Sequence, residues 1–327
     1  MFGEMGSLVP SDSSAIESTS AGFWDTAFTR CAAKSNGDTS YNDTVTLGSS
    51  LTDGWVHFDW ISGGTATTDA TYRRIIEFLD SGGVAWVRVS ATGSTSGVYS
   101  FSLDRWNGSA WISVGSFSMS GIARQTFNIH IKSNTASGTA DLYIGGTQRI
   151  AGGTVDLSAF SGIKKVRSWG RRVSVASASY ISQGIISDTS TIGKRLGTIV
   201  MTGQGTTHTF DTGGFANIDE AVYNDADFIN SGTANQVEMF TGTAIPTFTG
   251  YVIEAVGVYA RAKKESSGPA QMQLALRSGG TNYFSSTIAL DFGYGAIGNI
   301  WSTNPNGSVA WLSTDIASLE YGVKSIT

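Results

Sequence analysis

Val98-Tyr99-Ser100-Phe101-Ser102-Leu103-Asp104-Arg105-Trp106-Asn107-Gly108-Ser109-Ala110-Trp111-Ile112-Ser113 is the stretch that decides the fold. Tyr99, Phe101 and Leu103 alternate with Ser100, Ser102 and Asp104. A strand turns successive side chains to opposite faces, so one face is predicted to be buried and the other wet. Asn107-Gly108 supplies the positive φ of a tight turn, and Ala110 to Ser118 is the expected return strand.

The same period runs outward in both directions. Upstream, Val56, Phe58 and Trp60 alternate with Trp55, His57 and Asp59. Tyr72 to Asp80 and Val84 to Ala91 flank Ser81-Gly82-Gly83, a second hairpin signal. Downstream, Phe127, Ile129 and Ile131 alternate with Asn128, His130 and Lys132, and Gly145-Gly146 follows Asp141-Leu142-Tyr143-Ile144. Eight or more short strands separated by Gly, Asn, Asp and Ser predict an antiparallel sandwich rather than alternating strand and helix.

At Ile181 to Leu196 the texture changes. Tyr180 to Ile186 is apolar and partly β-branched, fit to close a sheet, while Asp188-Thr189-Ser190-Thr191 and Gly193 favour turns. The expected organisation is an arm at 1–20, a first β domain at 21–188, a linker at 189–196 and a second β domain at 197–327. In the second, Thr198 to Met201 and Thr207 to Phe210 are expected as short strands, and Ile218 to Phe240 as an acidic loop holding Asp219, Glu220, Asp225, Asp227 and Glu238. Further strands are expected at Tyr251 to Ala262, Gln271 to Arg277 and Tyr283 to Leu290, with Lys263 to Pro269 as a polar hairpin loop.

Composition narrows the function. With 327 residues the chain can bury two cores, and its single cysteine, Cys31, forms no intrachain disulfide. Charged residues make up 14% and the net charge is −5, which disfavours a sequence-independent grip on nucleic acid. The basic cluster from Lys164-Lys165-Val166-Arg167 to Arg171-Arg172 reads as a strand face or a subunit contact. No apolar run reaches the length of a membrane helix, and the first 20 residues lack a secretory pattern, so no membrane partner is expected.

Catalysis asks for groups that converge, and the three histidines, His57, His130 and His208, sit on separate strands, the first two on positions expected to be wet. Gly93-Ser94-Thr95-Ser96-Gly97 has threonine where a nucleophilic serine would stand. Glu77 and Asp80 face opposite sides of a strand, and Asp59 has no carboxylate two positions away, so the paired acids of a glycosidase are not expected. The acidic loop lacks the spacing of an EF-hand and reads as a solvated loop or oligomer contact. No catalytic, cofactor or metal residue is assigned. Trp55, Trp86, Trp106 and Trp111 are candidates for a glycan platform, because aromatic rings beside polar side chains fit pyranose faces.

The order of hairpins, the Trp106-Asn107-Gly108 strand end, the Phe127 to Ile131 strand and the Asp141 to Gly146 hairpin resembles the concanavalin A-like or laminin G-like jelly roll over Gly22 to Asp188. Ser182-Gln183, Ile186-Ser187-Asp188, Thr191 and Arg195 resemble, with three C-terminal features, the virion proteins of tailed phages and prophages. Those features are Gly268-Pro269, Trp301-x-x-Asn304-Pro305 through Trp311, and Gly322-Val323-Lys324. The resemblance implies an all-β protein of two antiparallel β-sandwich (jelly-roll) domains, the first concanavalin A-like. It implies a non-enzymatic, homo-oligomeric part of a head, tail or fibre, made in the host cytoplasm, whose partners are its own copies and other virion proteins. A host-surface adhesin that binds glycan is the alternative, and a glycan-degrading enzyme the third reading.

Overall fold

The computed structural model describes residues 3–4, 42–62, 72–93, 98–120, 125–168, 179–197, 199, 201–219, 225–243 and 251–327. Cys31, Ser94 to Gly97, Arg171, Arg172, Glu220 and most of the expected arm lie outside the described residues. The chain divides into two compact units, Met1–Leu196 and Gly197–Thr327.

The first unit is built of twelve strands: β1 (Gly3–Glu4), β2 (Asn42–Leu51), β3 (Asp53–Ser62), β4 (Tyr72–Leu79), β5 (Ala85–Gly93), β6 (Val98–Trp106), β7 (Trp111–Ser120), β8 (Gln125–Lys132), β9 (Thr139–Ile144), β10 (Thr147–Ile150), β11 (Ile163–Ser168) and β12 (Ser179–Ser187). They form two six-stranded antiparallel sheets. The first runs β1-β12-β3-β8-β9-β10 and the second β2-β11-β4-β5-β6-β7. This is the antiparallel sandwich that the period of two predicted.

Its core follows from the alternation. Val56, Phe58 and Trp60 of β3 and Phe127, Ile129 and Ile131 of β8 meet Tyr99, Phe101 and Leu103 of β6 between the sheets, all of them buried. Phe58 stacks on Phe127 at 5.1 Å, and Trp60 stands edge-on to Phe101 at 5.4 Å. Each such ring removes roughly 150–250 Å² from water. The β9–β10 turn puts Gly145 at φ 57° and Gly146 at φ 80°, the left-handed region that glycine enters without a Cβ clash.

Two departures from expectation concern the ends of this unit. Gly3–Glu4, within the expected arm, pairs with Ile186 and Ile185 and so extends the first sheet. The expected linker 189–196 belongs to the first unit, where Thr191 is fully buried. A short polar segment can pack this way because its hydroxyls find acceptors on the sheet below.

The second unit is also antiparallel. It contains β13 (Met201–His208), β14 (Val237–Gly242), β15 (Val256–Ala262), β16 (Gln271–Ser278), β17 (Thr281–Phe284), β18 (Ile288–Ala289), β19 (Gly295–Trp301), the one-turn helix α1 (Ser313–Ile316) and β20 (Glu320–Ile326). One sheet runs β13-β14-β20-β16-β17 with β18 beside β16, and β15 pairs with β19 apart from it. Met272, Leu274 and Leu276 of β16 share a core with Val258, Trp311, Ile316 and Leu319.

Here the expected boundaries shift. A single strand, β13, spans Met201–His208 in place of two short strands at 198–201 and 207–210, with Thr198 and Val200 outside the described residues, and Tyr283 to Leu290 is two. Lys263 to Pro269 is not a hairpin loop, because β15 and β16 lie in different sheets. Glu238, expected in an acidic loop, lies on β14 with no exposed surface. Among the described residues no helix is long and apolar enough to cross a membrane.

Candidate functional site

The outward face of the second sheet carries a row of charge that no linear motif reveals. Antiparallel pairing sets Arg167 beside Glu77, Glu77 beside Arg88, and Arg88 beside Asp104. Arg167 Nη1 and Arg74 Nη1 each lie 3.6 Å from a Glu77 carboxylate oxygen. Arg88 Nε donates to Asp104 Oδ2 at 3.0 Å, and the Ser102 hydroxyl reaches the same oxygen at 3.4 Å. Both carboxylates are buried, as charges can be when paired and hydrogen-bonded.

The row ends in two tryptophans. Trp106 and Trp111 face each other across β6 and β7, with ring centroids 5.5 Å apart at 57°. The Arg88 guanidinium lies 4.0 Å from the Trp111 ring centroid, within range of the ring quadrupole. The turn between the strands is stiff. Asn107 Oδ1 accepts the Ser109 and Ala110 backbone N–H groups at 2.9 and 2.8 Å, and Gly108 takes φ 96°. Both tryptophans are half-buried, leaving ring surface open beside fixed polar groups.

This arrangement is suited to holding a polyhydroxylated ring. It is less suited to cleaving one. Glu77 and Asp104 stand on strands two apart, about 10 Å by strand spacing. Each is tied to arginine, whereas general acid and base work needs one carboxyl free to carry a proton.

The other two candidate tryptophans go elsewhere. Trp86 donates its indole N–H to Asp80 Oδ2 at 2.8 Å and stacks on buried Phe160 at 6.1 Å, so it packs against the core. Trp55 stands on the outward face of the first sheet, stacked on His130 at 4.4 Å and beside Tyr143 at 5.6 Å. His130 Nε2 lies 2.8 Å from Asp53 Oδ1, which fixes the ring that covers one face of Trp55. Burial and the neighbouring Asp141 charge hold the Tyr143 hydroxyl above its ordinary value.

His57 corrects an expectation. It faces outward as the alternation predicted, yet it is fully buried rather than wet. Its Nδ1 donates to Asn128 Oδ1 at 2.9 Å, and the Thr191 hydroxyl donates to that same oxygen at 3.0 Å. The segment after β12 therefore lies over this part of the sheet.

In the second unit, buried Glu238 accepts from His208 Nδ1, from Gln204 Nε2 at 2.5 Å, and from the Thr209 and Phe210 N–H groups at 3.2 Å. His208 is half-exposed, and its ring is oriented by the carboxylate beneath. Asp225 forms a paired contact with Arg261, both bonds at 2.8 Å, which holds its carboxyl below the usual range. Asp227 accepts from Asn217 at 2.9 Å. Among the described residues no group of three His, Cys, Asp or Glu is placed to hold a metal ion.

No protein-family model and no curated protein matches the chain. Solved structures match it in part. Alginate lyase Aly36B aligns at 15% identity over 48% of this chain and 73% of its own, with a TM-score of 0.33. The CBM2 module of the evolved Dit of Lactobacillus casei BL23 phage J-1 aligns at 12% identity over 48% and 74%, TM-score 0.34. A heptameric SAP-like pentraxin from Limulus polyphemus aligns at 12% identity over 47% and 74%, TM-score 0.32.

Proposed function

We propose that the first unit binds glycan at Trp106 and Trp111, and that the chain acts as a non-enzymatic, oligomeric component of a tailed-phage-like particle. The observation that carries the binding half is the tryptophan pair at the end of a sheet, with Arg88 and Asp104 locked beside it. Aromatic rings cover the apolar face of a pyranose, and fixed charged groups then read its hydroxyls. Because the arginine and carboxylate already hold each other, little side-chain freedom is left to lose on binding.

The particle half is supported by the sequence features between Ser182 and Arg195 and near the C-terminus that resemble virion proteins. In this reading the partners are copies of the same chain, other virion proteins and a host-surface glycan, with no cofactor, nucleic acid or membrane. Whether the chain sits on head, tail or fibre is answered by its stoichiometric position in density for intact particles. Glycan arrays probed with the intact chain test the binding half, with analysis of the bound polysaccharide for new reducing or unsaturated ends. Binding without new ends is the expected result. New ends would replace the binding module with an enzyme, and failure to bind any surface glycan would leave only an architectural part.

A further inference from the structure

The segment Ser187 to Leu196 crosses the outward face of the first sheet as a strap. It leaves the end of β12, holds Asn128 of β8 through the Thr191 hydroxyl, and brings Ile192 toward the β9–β10 turn, where its Cγ2 would stand 3.7 Å from a Cβ at Gly146. Its own backbone is ordered by short bonds. Lys194 N–H donates to Thr191 O at 3.0 Å, and Thr189 N–H to the Ser187 hydroxyl at 3.0 Å.

Beneath it lies His57, with no exposed surface. Asn128 Oδ1 takes two donors, His57 Nδ1 and the Thr191 hydroxyl, so Nδ1 carries the ring's proton and Nε2 is a bare acceptor. That Nε2 is buried without a hydrogen-bond partner. Native interiors rarely leave such an atom without a role. A proton arriving at Nε2 would create a donor and a full charge where no acceptor stands.

We propose that the strap is a latch that opens when His57 takes up a proton. The charged groups that face His57 are Asp59, on its own strand, and Arg195, on the strap. Across the sheet it meets Ile185 of β12 and Asn128 of β8, neither of which titrates. Arg195 repels an imidazolium, and lifting the strap removes that charge while letting water reach the ring. Asp59 attracts the imidazolium and works against opening. Burial, the largest influence, holds the ring below its ordinary value, and Arg195 adds to it against Asn128 and Asp59.

The sign follows. An exposed imidazole takes its proton near pH ~6.5, and the covered one only at lower pH. The closed form then binds fewer protons than the open one. Closure is fully favoured above about pH 6.5 and is lost as pH falls, about tenfold per pH unit for one linked proton.

Amide hydrogen exchange on the full chain, corrected for intrinsic rates, tests this between about pH 7.5 and about pH 5. Protection of 187–196 is expected to fall by tenfold or more, while β8 and β9 keep theirs. His57→Gln, which retains a donor but cannot titrate, is expected to hold the strap closed at both pH values. Thr191→Val is expected to loosen it at both. If His57→Gln does not fold, the wild-type His57 ring resonances decide the matter, because ring protonation and strap opening must then share one midpoint. Unchanged strap protection at acid pH, a pH response that survives in His57→Gln, or separate midpoints would each overturn the latch.

Discussion

Glu238 shows what a single buried charge demands. It has no exposed surface and is answered by a histidine, a glutamine and two backbone N–H groups. Glu238→Ala would take the acceptor from all four at once, leaving Gln204 Nε2 only its bond to Met239 O at 3.0 Å. We expect a loss of about 3 kcal/mol or more in the stability of the second unit, read by chemical denaturation. The tryptophans divide in the same residue-level way. Trp86→Phe removes only the bond to Asp80 and is expected to cost about 1 kcal/mol of stability with no change in glycan binding. Trp111→Ala is expected to weaken glycan binding and leave the fold intact, as seen by circular dichroism. Sequence alone could nominate both residues but not separate them, since Trp86 stands where the β4–β5 register shifts, between Val87 opposite Phe78 and Ala85 opposite Leu79. His57 departs from the expected wet position for a related reason. Alternation gives the face of a strand correctly, and only tertiary structure tells whether that face is covered.

At the scale of elements, the hairpins were the most legible feature because their turns are chemically marked. Val98–Trp106 was bounded correctly by alternation on one side and Asn107-Gly108 on the other. The charge row was not legible, since Arg167, Glu77, Arg88 and Asp104 lie far apart in the chain and meet only through the pairing of four strands. In the second unit, the glycines and threonines of β13 leave no apolar alternation to follow, so one strand reads as two. The pairing of β15 with β19 leaps over β16 and cannot be read from a polar loop between strands. The β6–β7 turn links element to site. Gly108 stands at φ 96°, and Gly108→Val is expected to cost about 1–2 kcal/mol. Because the turn sets the spacing of Trp106 and Trp111, glycan affinity should fall with it, as equilibrium titration would show. Unchanged affinity would mean that the pair does not depend on the turn.

For the molecule as a whole, composition set the class and topology set the site. A low charge content and abundant small polar residues favour sheets over helices, and both units are antiparallel β. Light scattering after size exclusion is expected to give a multiple of the chain mass, and a monomer at all concentrations would remove the assembly part of the proposal. The most direct test of glycan binding is a binding isotherm for the intact chain on host-surface polysaccharide, set beside the Trp106→Ala/Trp111→Ala double variant. Saturable binding by the parent is expected, weakened at least about 30-fold in the variant, the equivalent of about 2 kcal/mol for a buried aromatic anchor. Equal binding by both chains, or none by the parent, would contradict it.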